Sequence, residues 1–185
     1  MRIGFDFDKT LSYKDTLLGF FLQSDRSIMG IRVVLYFLAM IATKFRILSN
    51  DNLKKVGVYL FLKGKTRTEI AKIGRRYAPT IKLNQLHARV FTSCDRPILV
   101  SAGFEEYLKP LFPDGIVVAS RLQYKDEVVT GLGFNCFGAA KIPALRNAGI
   151  SELDEFYTDS YSDQPVMDIA QRVFLVKGDK WHQIK

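Results

Sequence analysis

Two acidic residues close to the start of the chain, Asp6 and Asp8, follow an apolar stretch that begins at Ile3. The apolar residues predict a short buried strand that ends at the first acid. Because side chains alternate along a strand, a strand that continued through Phe7 would place both carboxylates on one face. Two carboxylates this close repel each other unless a cation or a shared proton compensates their charge. The stretch therefore predicts a metal-assisted carboxylate site.

Two further stretches place groups that suit phosphate at predicted strand ends or helix starts. Ser101, Ala102 and Gly103 follow an apolar strand and precede a helix. A hydroxyl and backbone amides thus meet a helix N-terminus, which favours phosphate binding. Lys141 falls in the first turn of a later predicted helix, where the helix dipole disfavours a cation. A lysine at that position is expected to face an anion.

Asp159 and Asp163 form a second acidic stretch behind an apolar strand. From residue 97 onward, predicted strands and helices alternate, with a polar hairpin over residues 122–132. The alternation favours an α/β fold with a parallel sheet covered by helices on both faces. Ligands bind at the carboxyl ends of the strands in such sheets, where Asp6, Ser101 and Asp159 fall. Each position alone is weak evidence, but the ordered set predicts one site.

Residues 12–92 have helical periodicity throughout. Ser27 is predicted to cap a helix that reaches about Leu48, and residues 33–42 within it are apolar on every side. The uncharged run between Arg32 and Lys44 has 11 residues, well short of the roughly 20 that span a bilayer. The pattern therefore indicates a buried or interfacial helix rather than a membrane span. Asp15 is predicted to cap a helix, Asn50 or Asp51 to cap the next, and Thr66 or Thr68 to open another.

The basic residues are concentrated in this helical segment. The chain carries 27 Lys and Arg residues against 19 Asp and Glu residues, a net charge of +8. Residues 12–95 hold 15 of the basic and 5 of the acidic residues, so they carry +10 and the remainder carries −2. The excess indicates an anionic partner for the segment, or a solvated basic surface without a function. Nucleic acid is disfavoured, because the basic residues neighbour aliphatic rather than stacking aromatic side chains.

Length and cysteine content bound the class of protein. The 185 residues, 48% of them hydrophobic, suffice for one domain or for a domain with a large insertion. Cys94 and Cys136 lie far apart without metal-ligand spacing and favour free thiols in a reducing compartment. The predicted first strand begins almost at Met1, so no cleavable signal is visible. A cytoplasmic location is expected, and the apolar and basic segment adds the option of contact with an anionic membrane.

The order of the polar positions resembles the haloacid dehalogenase superfamily, whose pattern is Asp-x-Asp-x-Thr, then Ser or Thr, then Lys, then a pair of acids. An all-helical insertion between the first two motifs is similar to the C1-capped branch, which includes phosphoserine phosphatase and phosphatidylglycerophosphate phosphatase relatives. The resemblance implies a Rossmann-like core formed by residues 1–11 and 96–185, with residues 12–95 as an inserted all-helical cap. Lys9 stands where glycine is common in the family.

The resemblance also implies a phosphomonoester hydrolase that works through an aspartyl-phosphate. Asp6 would be the nucleophile, and Asp8 would protonate the leaving oxygen and then activate water. Mg²⁺ would be held by the carboxylates of Asp6 and Asp159, the backbone carbonyl of Asp8 and water molecules. Thr10 would brace the first turn.

The remaining motif residues would bind phosphate or support the metal, as the resemblance implies. Asp163 would orient Lys141 and the waters of the metal. Ser101, the backbone at Ala102 and Gly103, and Lys141 would hold the phosphate oxygens. Phosphoryl transfer to a second substrate instead of water would use the same residues.

The substrate is left open by these motifs, because in this branch the cap selects it. Phosphoserine phosphatases carry a glutamate nine residues after the nucleophile, and Asp15 occupies that position, so a phosphorylated small metabolite is one expectation. The apolar and basic cap favours a phosphorylated lipid or another amphiphilic phosphate as a second. A catalytically silent binding module for anionic surfaces is a third. The sequence gives no indication of the oligomeric state.

Overall fold

The computed structural model describes residues 1–24 and 29–185. Their strands form one sheet of seven, in which the five central strands run parallel and both edge strands run antiparallel to their neighbours. The predicted α/β fold is confirmed. The strands are β1 (Ile3–Phe5), β2 (Ile98–Phe104), β3 (Ile116–Lys125), β4 (Val128–Phe134), β5 (Leu153–Thr158), β6 (Ala170–Lys177) and β7 (Lys180–Gln183), in the spatial order β4-β3-β2-β1-β5-β6-β7.

The edge strands make the sheet mixed rather than wholly parallel. β3 and β4 form the hairpin predicted over residues 122–132, and the chain turns at Asp126 and Glu127, both with positive φ. β7 pairs with β6 after a turn at Gly178, where φ is +62°. This last strand was not predicted, because its residues are mostly polar and exposed and lack an apolar alternation.

The described residues contain eight α-helices, and five of them lie between β1 and β2 in the chain, as the helical periodicity predicts. A π-helix over Val58–Leu62 extends the third of these. The helices are α1 (Leu17–Ser24), α2 (Met29–Lys44), α3 (Asn50–Gly57), α4 (Arg67–Tyr77), α5 (Gln85–Arg89), α6 (Glu105–Leu111), α7 (Lys141–Asn147) and α8 (Gln164–Asp168).

Side-chain caps fix where these helices begin. The Thr66 hydroxyl and the Glu69 carboxylate form a capping box at the start of α4, which confirms one predicted start. The cap predicted at Asn50 or Asp51 is wrong, because α3 begins at Asn50 and Ser49 caps it by accepting a hydrogen bond from the amide of Asn52 at 3.2 Å. The Ser27 cap predicted for α2 lies outside the described residues.

The segment 12–95 packs directly on the sheet and its helices through aromatic side chains. Phe20 of α1 lies 5.9 Å from Phe104 at the end of β2 and 5.0 Å from Tyr107 of α6, measured between ring centroids. Gly74 of α4 approaches the backbone of α6 so closely that a Cβ atom there would overlap the Glu106 carbonyl. The division of the chain into a core and a cap at residues 12–95 stays a prediction.

Helix α2 is buried on one side only. Tyr36 is 3% exposed and packs edge-on against Phe21 and Phe61. Val34, Leu38 and Ile41, on other sides of the helix, are each more than half exposed. None of the helices in the described part of the chain is long and apolar enough to cross a membrane. The exposure of these three side chains excludes a wholly buried α2. Burial therefore does not explain why residues 33–42 are apolar on every side of the helix.

Candidate active site

The carboxyl ends of β1, β2 and β5 lie side by side and surround a cavity of about 190 Å³. Eight of the ten residues predicted for the site line this cavity, while Thr10 and Gly103 lie just behind it, bonded to Asp6 and Ser101 respectively. The lining consists of Asp6, Asp8, Lys9, Asp15, Ser101, Ala102, Phe137, Lys141, Asp159, Ser160, Ser162 and Asp163.

Both acids of the first motif reach the cavity, although the strand does not continue through them. β1 ends at Phe5, and Asp6 still pairs with β5 through a 2.9 Å hydrogen bond from its amide to the carbonyl of Tyr157. The chain then turns tightly, and Phe7 is fully buried in the core. The burial of Phe7 anchors the turn and thus leaves Asp6 and Asp8 facing the cavity from a loop.

Lys141 forms two buried ion pairs that join three parts of the chain. Its Nζ lies 2.8 Å from Asp6 Oδ1 and 2.6 Å from Asp163 Oδ1, and the lysine side chain is 2% exposed. Burial alone would lower the pKa of Lys141, but the two carboxylates outweigh it and raise this pKa above its ordinary value. We expected Lys141 to face an anion because of its position in the first turn of a helix. The carboxylates of Asp6 and Asp163 are that anion. Asp163 is held in turn by the Thr158 hydroxyl at 2.9 Å.

Asp8 is held by a threonine that the sequence analysis did not identify. Asp8 Oδ1 accepts hydrogen bonds from the Thr16 amide at 2.9 Å and the Thr16 hydroxyl at 2.6 Å. The Thr16 hydroxyl also lies 2.9 Å from the phenol oxygen of Tyr107. Burial, followed by the charge of Asp15, raises the pKa of the Asp8 carboxyl to about 7. A carboxyl group with this pKa can both give and take a proton near neutral pH.

Ser101, Ala102 and Gly103, here called the Ser101 loop, lie in the irregular last part of β2 and not after the strand as predicted. Ser101 and Ala102 line the cavity next to Asp6. Ser101 is buried, and its Oγ accepts a 2.9 Å hydrogen bond from the amide of Gly103. A Cβ atom on Gly103 would fall 2.5 Å from the phenol oxygen of Tyr107. A residue with a Cβ at this position would have to displace the Tyr107 side chain, which is fully buried in α6.

The first turn depends on a backbone conformation that glycine adopts most easily. Lys9 has a φ of +60°, which is unfavourable for a residue with a Cβ. The Ser12 hydroxyl compensates in part, since it accepts a 3.2 Å hydrogen bond from the Lys9 amide. Thr10 is fully buried and its hydroxyl lies 3.4 Å from Asp6 Oδ2. This geometry accounts for the glycine that is common at the position of Lys9 in the resembling family.

The acids of the cavity fit a divalent cation. Burial raises the pKa of both Asp6 and Asp159, and the charge of Asp163 acts in the same direction on each. In the described part of the chain, no three His, Cys, Asp or Glu side chains converge to hold a metal by themselves. Two carboxylates, a backbone carbonyl and water molecules, the donor set predicted for Mg²⁺, do not need such a cluster.

Asp15 lies between the start of α1 and the cavity, and its contact with an amine of the substrate stays a prediction. Its Oδ1 accepts a 3.1 Å hydrogen bond from the amide of Leu17 at the start of α1, and the residue also lines the cavity.

Lys54 lies near the cavity although the sequence did not predict it there. It projects from α3 towards the Ser101 loop and is 3% exposed, and burial lowers its pKa to about 7. Nothing in the helical pattern around Leu53 and Val56 distinguishes this lysine from the exposed ones.

Comparison with known proteins assigns the class that the fold and the cavity indicate. A model of the family described as haloacid dehalogenase-like hydrolase matches residues 3–168. The chain belongs to this family, which confirms the predicted superfamily and an enzyme of the hydrolase type. No curated protein matches the chain.

Solved structures share the fold at low sequence identity. A protein with unknown function from Bordetella pertussis Tohama I is 18% identical, with 93% of this chain and 87% of that chain covered and a TM-score of 0.72. A phosphoserine phosphatase, solved as an analogue of its phospho-aspartyl intermediate, is 20% identical, with 92% and 83% covered and a TM-score of 0.58. A phosphoserine phosphohydrolase-like protein from Francisella tularensis is 18% identical, with 93% and 85% covered and a TM-score of 0.58.

Proposed function

We propose that the protein is a Mg²⁺-dependent phosphomonoester hydrolase that forms an aspartyl-phosphate on Asp6. One observation carries the proposal: a carboxylate fixed by Lys141, a second carboxyl with a pKa of about 7, and the Ser101 loop all face one cavity. A nucleophile, an acid and a binding site for the transferred group are the parts that this reaction needs. Their presence in one cavity also favours an enzyme over a silent binding module.

In the proposed reaction, Asp6 attacks the phosphorus atom and the ester oxygen leaves with a proton from Asp8. Asp8 then takes a proton from the water that cleaves the aspartyl-phosphate, which returns both residues to their starting state. The Lys141 ammonium and the hydroxyl and amides of the Ser101 loop hold the phosphate oxygens. Asp163 fixes Lys141, and the Thr16 hydroxyl holds Asp8 towards the leaving group.

The carboxylates of Asp6 and Asp159 and the backbone carbonyl of Asp8 would hold the Mg²⁺. When bound, the cation neutralises charge on the carboxylates and the phosphate. The protein supplies only part of that neutralisation, since Lys141 is already paired with two carboxylates. Removal of the metal is therefore expected to abolish turnover.

We further propose that the substrate is an amphiphilic phosphate, selected by the helical segment. A second cavity of about 220 Å³ begins at Asp8, on the side where the leaving group would depart, and Leu17 and Leu53 contribute to its lining. On the same segment, α2 exposes apolar side chains, and Phe45 and Ile47 just beyond it are 71% and 80% exposed. Exposed apolar side chains with Lys44 and Arg46 among them suit the surface of an anionic membrane.

A phosphorylated small metabolite remains the second candidate substrate. The observation in its favour is that the carboxylate of Asp15 lines the same cavity as Asp6, where it could meet an amine of the substrate. Phosphate release from phosphoamino acids, sugar phosphates, nucleotides and lipid phosphates separates the two candidates. An Asp6→Asn variant is the control for each substrate. Failure of the wild-type protein to release phosphate from any of them would refute the hydrolase proposal.

Membrane contact is tested by co-sedimentation with neutral and with anionic vesicles. We expect binding only to anionic vesicles, weakened by salt and reduced at least fivefold in a Leu38→Asp variant, because a charge would then stand on the exposed face of α2. Ile184→Asp is the matched control, since it makes the same change at a partly exposed residue near the end of the chain. Equal binding by both variants would refute the role of α2 and leave the hydrolase proposal intact.

A further inference from the structure

Lys54 is a buried lysine that connects the helical segment to the Ser101 loop. Its Nζ donates to the backbone carbonyl of Ala102, to Ser120 Oγ at 2.5 Å and to Asn135 Oδ1 at 2.9 Å. All three acceptors are neutral oxygens, and the ammonium also lies 4.7 Å from the ring centroid of Phe104. A buried ammonium is costly unless its donors are satisfied, and these three bonds use every donor that it has.

The contact with Ala102 determines the direction of the next amide. The carbonyl of Ala102 and the N–H of Gly103 belong to one planar trans peptide, so they point in opposite directions. Lys54 binds the carbonyl from the side of the helical segment. The N–H of Gly103 is thereby turned the other way, towards the Ser101 hydroxyl that it meets at 2.9 Å beside the cavity.

Two neighbouring groups hold the same arrangement. Ser120 Oγ donates to the Ala102 carbonyl at 2.9 Å, so this carbonyl accepts from both Lys54 and Ser120. Asn135 donates to Asp51 Oδ1 at 3.0 Å, which gives α3 a second link to the end of the β3–β4 hairpin. Lys54 is therefore held in one position by contacts with the Ser101 loop and with the end of the β3–β4 hairpin.

We propose that Lys54 is a positioning residue: it holds the Gly103 amide on the Ser101 hydroxyl and thereby aims this hydroxyl at the phosphate. The interaction also polarises the peptide, because an ammonium on the carbonyl strengthens the N–H as a donor. Lys54 belongs to α3 in the helical segment. The Ser101 loop therefore has its phosphate-binding arrangement only while α3 packs against it. This role rests on the proposed function, because it assumes that the Ser101 loop holds phosphate.

The test measures the affinity of the wild-type protein and of a Lys54→Met variant for inorganic phosphate, by calorimetry in the presence of Mg²⁺. We expect Lys54→Met to weaken phosphate binding at least tenfold and to lower kcat/KM by a similar factor. Lys72→Met is the control: it makes the same change at an exposed lysine of α4 and should stay within twofold of wild type. NMR spectroscopy gives a second readout. The amide resonance of Gly103 should shift on phosphate addition in the wild-type protein and not in Lys54→Met.

Ser120→Ala keeps the test decisive if Lys54→Met does not fold. It removes the second donor to the Ala102 carbonyl through a small change, and it should weaken phosphate binding threefold or more. Wild-type affinity in a folded Lys54→Met variant, or in Ser120→Ala when only that variant folds, would overturn the positioning role while the hydrolase proposal stands. A wild-type protein that binds no phosphate and cleaves no phosphomonoester would overturn both.

Discussion

The contact between α4 and α6 predicts opposite effects for two chemically identical substitutions. A Cβ atom on Gly74 would lie 2.5 Å from the carbonyl carbon of Glu106 and 3.2 Å from the amide nitrogen of Tyr107. Ordinary contacts between carbon atoms are about 3.5 Å or longer, so the helices would have to separate by about 1 Å. The obstacle is backbone and cannot rotate away. Gly30 of α2 is the matched control, because nothing lies within 4 Å of a Cβ atom there.

The magnitude follows from two opposing contributions. Replacing a helical glycine with alanine stabilises by up to about 1 kcal/mol, and this gain is available at both positions. Overpacking typically costs about 1–3 kcal/mol, and a clash between two backbones falls at the upper end. Gly74→Ala should therefore lower the free energy of unfolding by about 2 kcal/mol, whereas Gly30→Ala should leave it unchanged or raise it. For a chain of this size, that loss corresponds to a fall in Tm of roughly 4–8 °C.

Urea and thermal unfolding of the two variants and the wild type measure the difference. Phosphate release belongs in the same experiment, since α6 begins directly after β2, whose last part holds the Ser101 loop, and a displaced α6 should impair turnover as well. A Gly74→Ala variant as stable as Gly30→Ala would show that α4 and α6 do not pack as closely as described. It would also contradict the direct packing of segment 12–95 on α6.

Three predictions concern the chemistry. Asp6→Asn should reduce turnover by several orders of magnitude with a cooperative unfolding transition retained, and turnover within tenfold of wild type would exclude Asp6 as the nucleophile. Chelation should abolish activity until Mg²⁺ is restored, and Asp159→Asn should raise the Mg²⁺ concentration for half activity; an unchanged requirement would remove Asp159 from the metal site. Because burial raises the pKa of Asp8 to about 7, Asp8 is protonated below that pH, so kcat for an alkyl phosphate should fall as pH rises through 7. A p-nitrophenyl ester, whose leaving group needs no proton, should show a flatter profile, and identical profiles would contradict the role of Asp8.

Local patterns were sufficient to predict the elements that carry the motifs. The apolar run before Asp6, the alternation after residue 97 and the lysine at the start of α7 each depend on neighbouring residues only. The family model confirms the superfamily that these motifs indicated. The helical segment was also predicted as helical, because its periodicity is strong.

Contacts between distant parts of the chain were not predictable in the same way. Thr16 and Tyr107 meet across 91 residues, and Lys54 meets Asn135 across 81. Neither pairing has a spacing or a residue type that marks it in one sequence. The side of α2 that faces solvent was equally hidden, because residues 33–42 are apolar all round and only the packing of Tyr36 shows which face is buried.

The charges around the cavity explain why the proposed reaction needs a cation although the segment 12–95 is strongly basic. Five carboxyl groups and two ammonium groups line the cavity, so it is acidic even with Asp8 protonated. Lys54, a lysine of the segment that lies close to the Ser101 loop, is bound to neutral oxygens of the protein. The basic side chains that the described part of the segment exposes, such as Lys44 and Arg46, attract an anion from outside the cavity, where salt screens them. We therefore expect a dianionic phosphate to approach Asp6 only when a metal has offset the charge of the carboxylates. The basic segment would then attract the substrate, and the metal would allow it to react.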